Sequence, residues 1–149
     1  MLSITGNQLK EVDFQLSLVP LTVANFRMAD DTPGTAGRQA RRLFDRAGEG
    51  TLRLLVPSLV IAQVVWTLES FYRASREYVT GLLQALLETL GVTALEPRVV
   101  SRCIEIYGAH NIEIVDAYLV ALAAETQTPV LATFNKKDFR RFPHLKLIS

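Results

Sequence analysis

The chain reads as an α/β domain, a three-layer sandwich with a mostly parallel central sheet. Three observations lead there. Short apolar runs of strand length alternate with longer stretches of helical periodicity along the whole sequence. Such alternation builds a parallel sheet with helices on both faces. The 149 residues fit one domain, 1–149, long enough to bury about two-thirds of the unfolded surface without disulfides or metal.

The elements follow in order. Phe14–Val19 alternates in polarity as a strand does, and Pro20 ends it. Thr22 to Met28 forms a short helix, and Ala29-Asp30-Asp31-Thr32-Pro33-Gly34-Thr35 is a loop by its turn residues. Ala36 to Ala47 is helical because Ala40, Leu43, Phe44 and Ala47 recur at helical spacing. After the turn Gly48-Glu49-Gly50, Leu52–Val56 is a strand that Pro57 breaks. Ser58 is placed to cap a long helix from Leu59 to about Arg73, and Ser75 to cap a second through Leu90, stopped by Gly91. Val92–Leu95 is a strand. Pro97 suits the first turn of a helix running to about Tyr107. Asn111 caps a helix over Ile112–Thr126. Pro129–Phe134 is a strand placed centrally, and Leu145–Ile148 a short last one; the strands are expected to share one sheet.

Composition narrows the function classes. No apolar run approaches the roughly 20 residues of a membrane span, and Met1 to Lys10 is too polar for a signal peptide, so no membrane partner and a cytoplasmic location are expected. Cys103 has no second cysteine to pair with and sits in a helical stretch, as a core thiol does. The net charge of +1 favours no partner, but the cations are clustered. Arg38, Arg41, Arg42 and Arg46 form one group, and Lys136, Lys137, Arg140 and Arg141 another. Each reads either as a solvated face or as a phosphate-backbone footprint.

Two helices are apolar on nearly every side, which marks buried helices, and each carries one polar exception: Gln63 and Asp116. A buried carboxylate is costly unless paired or metal-bound. Glu113 lies three residues before Asp116 on the same helix face. Asn135 follows the end of a strand, and Asp138 comes three residues later. In parallel sheets ligands gather beyond the strands' carboxyl ends. Gln63, Glu113, Asp116, Asn135 and Asp138 are therefore the candidate ligands of one cleft. Hard divalent cations take oxygen ligands, so the ion would be magnesium or manganese and the chemistry phosphodiester hydrolysis.

Three stretches resemble motifs of the PIN domain family, in order and spacing. Leu55-Val56-Pro57-Ser58-Leu59-Val60-Ile61-Ala62-Gln63-Val64-Val65-Trp66 is similar to its second motif, and Ile114-Val115-Asp116-Ala117-Tyr118-Leu119-Val120-Ala121 to its third. Pro129 to Phe139, with the trailing Arg140-Arg141-Phe142-Pro143, is similar to its fourth. The likeness is greatest to the VapC type, the toxin ribonucleases of toxin–antitoxin pairs. It implies a PIN-like fold, RNA as substrate, an antitoxin protein as partner and a homodimer. It also implies four carboxylates around one or two divalent ions.

The chain departs from that pattern at three places. Val19-Pro20-Leu21 stands where the first acid belongs, Gln63 where a Glu belongs and Asn135 where an Asp belongs. Asp116 alone keeps the family's acid, as the one catalytic candidate. An amide oxygen brings no charge to a metal, and magnesium favours charged ligands. The sequence therefore points to weak Mg2+ or Mn2+ binding and to reduced or lost catalysis, with RNA or partner binding kept. Lys136, Lys137, Arg140 and Arg141 are the candidate nucleic-acid contacts. The alternative is an active Mg2+-dependent endoribonuclease toxin with substituted ligands. A dinucleotide-binding domain is excluded for want of a Gly-x-Gly-x-x-Gly after the first strand.

Overall fold

The computed structural model describes the backbone of residues 13–15 and residues 36–149. In chain order the elements are β1 (Asp13–Gln15), α1 (Ala36–Gly48), β2 (Arg53–Val56), α2 (Ser58–Ser70) and α3 (Arg76–Glu88). Then come β3 (Val92–Ala94), α4 (Pro97–Ala109), α5 (Ile114–Glu125), β4 (Val130–Ala132), α6 (Lys136–Phe139) and β5 (Lys146–Ile148). The expected loop 29–35, the helix Thr22–Met28 and the second half of the Phe14–Val19 strand lie outside the described residues.

Every described strand pair is parallel. β2 lies between β1 and β3, with Phe14 opposite Leu54 and Leu54 opposite Val92. β4 pairs with β5, Leu131 opposite Leu147. Among the described residues the strands thus form two sheets rather than one. Among the described residues the strand read as central pairs with β5, and Val130 and Ala132 are exposed while Leu131 is half-buried.

The core forms where β2 and β3 meet the helices. Leu54, Val56, Val92 and Ala94 alternate inward along their strands. Against them pack Val65 and Leu68 of α2, Val79 and Leu83 of α3, and Val100, Ile104 and Tyr107 of α4. The i, i+4 spacing of these helix residues is what builds a buried stripe. Ile114, Ala117, Val120 and Ala121 supply the stripe of α5, whose packing on α4 is the most extensive between helices. Cys103 is a buried core thiol, as its sequence setting suggested, and burial pushes it up to about 12, so it is not a nucleophile at neutral pH.

The helix ends test the sequence reading individually. Ser75 does cap α3, its hydroxyl accepting from the Tyr78 N–H at 3.2 Å, and Pro97 does open α4. Ser58 does not cap α2. It is the first helical residue, after Pro57, and its hydroxyl donates to Glu96 instead. α2 stops at Ser70, and Arg73 takes a positive φ of 55°, which turns the chain back. α5 begins at Ile114, with Glu113 rather than Asn111 in the cap position. Gly91 is required where it stands. Its φ is +80°, and a Cβ there would meet the Ala47 carbonyl oxygen at 2.3 Å.

One polar clamp fixes the turn before α5. Arg76 donates to the carbonyls of Tyr107 and Ile112, both at 2.8 Å. Its guanidinium lies 4.0 Å from the centre of the Tyr107 ring, and Glu69 accepts from the Tyr107 hydroxyl at 2.5 Å. The clamp thereby holds the chain at Ile112, two residues before α5 starts.

Candidate functional site

The acidic residues meet where the amino end of α5 faces α6. Glu113 precedes the first turn of α5 and its carbonyl accepts from the Ala117 N–H at 2.9 Å. Asp116 follows within that turn and is half-buried. Its carboxyl is held above the usual 3.8, first by burial, then by the negative charges of Glu113 and Asp138. A helix amino terminus ordinarily favours a carboxylate. Here burial and two like charges outweigh it.

Beyond β4 the chain carries the other half of the cluster. The Thr133 N–H bonds the Ile148 carbonyl at 3.0 Å, and the Thr133 hydroxyl accepts from the Asn135 N–H at 3.0 Å. These contacts turn the backbone into α6, a short helix that the motif reading does not anticipate. The Asn135 side-chain amide donates to Asp138 Oδ2 at 2.8 Å, and Arg141 pairs with Asp138 Oδ1 at 3.6 Å. Both oxygens of Asp138 thus have partners within their own segment. Asn135 is exposed, and Asp138 is the side chain its amide reaches among the described residues.

Gln63 stands apart. α2 is not buried on all sides: Leu59 is 81 % exposed and Trp66 67 % exposed, and Gln63 is exposed between them. Their i, i+4, i+7 spacing puts all three on one open face. The Gln63 side chain makes no hydrogen bond among the described residues, and only its carbonyl is engaged, by the Thr67 hydroxyl at 2.8 Å. The apolar composition of α2 showed what the helix could bury, not what covers it.

A divalent ion does not find a ready site among the described residues. Among the described residues no three His, Cys, Asp or Glu side chains lie close enough to hold one together. Glu113 and Asp138 act on Asp116 through space, but Asp138 is already engaged by Asn135 and Arg141. Lys136, Lys137 and Arg140 share the α6 segment with Asp138; Lys137 and Arg140 are exposed and Lys136 is half-buried. Phe134, just before them, is 95 % exposed.

A second polar group escapes the motif reading altogether. Glu96, at the cap position of α4, accepts from Ser58 at 2.5 Å and from Tyr118 at 3.0 and 3.2 Å. Its sequence signal is faint: an acid before a helix-opening proline. Its partners lie 38 and 22 residues away in the chain.

A parallel α/β domain that gathers carboxylates beyond a strand's carboxyl end has the make-up of a nuclease-type domain. Residues 33–145 match the PIN domain as a family, and the chain belongs to it. The match begins at residue 33, beyond Val19-Pro20-Leu21. No curated protein and no solved structure matched the chain. PIN domains generally use divalent metals such as Mg2+, bind RNA and often pair with antitoxins. No helix among the described residues is long and apolar enough to cross a membrane.

Proposed function

We propose that this chain is a VapC-like PIN protein of the cytoplasm whose catalysis is reduced or lost, and which acts by binding RNA or an antitoxin-like partner. The observation that carries this reading is the state of the acid positions. Of the four places where the resemblance calls for an acid, only Asp116 holds one, and the nearby Asp138 is engaged by Asn135 and Arg141. Without a charged ligand set, a metal-bound water is not brought to a hydrolytic pKa. RNA affinity would then rest on the cations of the α6 segment through phosphate contacts.

A salt titration of single-stranded RNA binding tests it. Log affinity should fall with log salt by about 0.7 per phosphate neutralised. Changing Arg140 and Arg141 together to Ala should flatten that slope by about one to two units and weaken all sequences alike. An unchanged slope and affinity in the double variant would leave the segment with a structural role only.

The second reading, an active Mg2+-dependent endoribonuclease, is favoured by one observation. Glu113 and Asp138 both lie near enough to raise the Asp116 carboxyl, so three acids do share one electrostatic environment. An incoming cation would relieve that repulsion, provided Arg141 released Asp138.

A further inference from the structure

We propose that the cavity walled by α2, α4 and α5, at the carboxyl ends of β2 and β3, binds a cationic aliphatic group, an alkylguanidinium or alkylammonium, with Glu96 as its anionic anchor. The cavity measures about 470 Å³. Ile61, Val100 and Ile114 form its inner wall, and the exposed side chains of Leu59, Leu95 and Val115 stand at its rim. Among the described residues that line it, Glu96 is the one charged side chain.

Three facts make Glu96 an anchor rather than a structural carboxylate. It meets two hydroxyls and, among the described residues, no cation. Ser58 and Tyr118 supply one hydrogen each, while an ionised carboxylate offers about four acceptor sites. Acceptor capacity therefore remains open to the cavity. Glu96 also stands at the cap position of α4, the positive end of that helix's dipole. A negative head at one end of an apolar chamber is complementary to a positive head on a methylene stem. The stem gains from leaving water, and the head gains a charge-assisted hydrogen bond in a screened setting. An anionic or purely apolar occupant would leave that charge repelled or uncompensated.

The site is separate from the acidic cluster. Val115 and Tyr118 of α5 line the cavity, and Asp116 does not. At 3.6 residues per turn Asp116 projects about 160° away from Tyr118 around the helix. The proposal therefore stands or falls independently of the nuclease question.

Calorimetric titration of the full chain with n-butylguanidinium chloride tests it. Saturable binding to one site is expected. Glu96→Gln, which keeps a side chain of the same shape beside Ser58 and Tyr118, should weaken it about ten- to a hundredfold. Ala62→Leu, which fills the cavity from the α2 side, should abolish it. Thermal unfolding of both variants confirms that they are folded. A parallel titration with the peptide acetyl-Leu-Arg-Leu-amide distinguishes the two sources of this chemistry. Tighter binding of the peptide assigns the site to an arginine of a protein partner, and tighter binding of the free guanidine assigns it to a small molecule. The proposal is overturned if neither probe binds, if the uncharged N-butylurea binds as well, or if folded Glu96→Gln binds as wild type does.

Discussion

Replacing Arg76 by Ala should destabilise the chain by about 3 kcal/mol, and the structure shows where that figure comes from. Two hydrogen bonds run from the guanidinium to the Tyr107 and Ile112 carbonyls at 2.8 Å. A hydrogen bond from a charged donor contributes about 1.5–3 kcal/mol, and the stacking on Tyr107 roughly another 0.5–1 kcal/mol. The Arg76 side chain is 27 % exposed, so water replaces part of what is lost, and the low end of that sum applies. The ion pair with Glu69, at 3.8 Å with Glu69 36 % exposed, adds little. Arg76→Lys should recover only a fraction, because an ammonium lacks the planar guanidinium that stacks on Tyr107 while one of its nitrogens donates to both carbonyls. The assay is urea unfolding. With an m-value of about 1–3 kcal/mol/M, the midpoint should fall by roughly 1–3 M at unchanged slope. Hydrogen exchange should report the same loss locally, with faster exchange at the start of α5. A midpoint within 0.2 M of wild type, as an approximate experimental margin, would refute the claim that Arg76 holds the α4–α5 turn.

Two further perturbations probe the scaffold and the cluster. Gly91→Ala should cost about 2–5 kcal/mol, from the left-handed backbone and from the clash with the Ala47 carbonyl, read by thermal or urea unfolding; a near-neutral result would mean the α1–β3 contact is looser than described. Asp116→Asn should stabilise the fold near pH 7. Because the folded carboxyl is held above 3.8, the stability it contributes is complete below that value and is lost as the pH rises through the raised one. The melting-temperature gain of Asp116→Asn should therefore shrink as the pH is lowered toward 3.8, and a gain that does not vary with pH would contradict the crowding of Glu113, Asp116 and Asp138.

What the sequence revealed and what it hid divide along physical lines. Local signals held where the answer is local. The Ser75 cap, the Pro97 helix start and the buried Cys103 each depend on a few neighbouring residues. Glu113 lies near enough to raise the Asp116 carboxyl, but from the cap position before α5 rather than from the shared helix face the sequence suggested. Readings that needed a distant partner did not hold. Ser58 has the right type and place for a cap, yet it bonds to Glu96, 38 residues on. The apolar runs of α2 and β4 fit burial, yet Leu59, Trp66 and Val130 are exposed, because composition does not say what packs against a face. Asn135 was legible as a polar residue at a strand's end, but its bond to Asp138 depends on the turn into α6. The cavity at Glu96 was invisible for the same reason: its walls come from three helices far apart in the chain.

The most direct test of the central claim is metal-dependent cleavage. Purified wild-type protein and Asp116→Asn are incubated with single-stranded RNA and Mg2+ or Mn2+, with a chelator control. On the proposed reading, in which Asp116 alone keeps the family's acid, cleavage should stay at the chelator background and be the same for both proteins. Clear cleavage by the wild type that requires the metal and disappears in Asp116→Asn would show a working site and contradict the account.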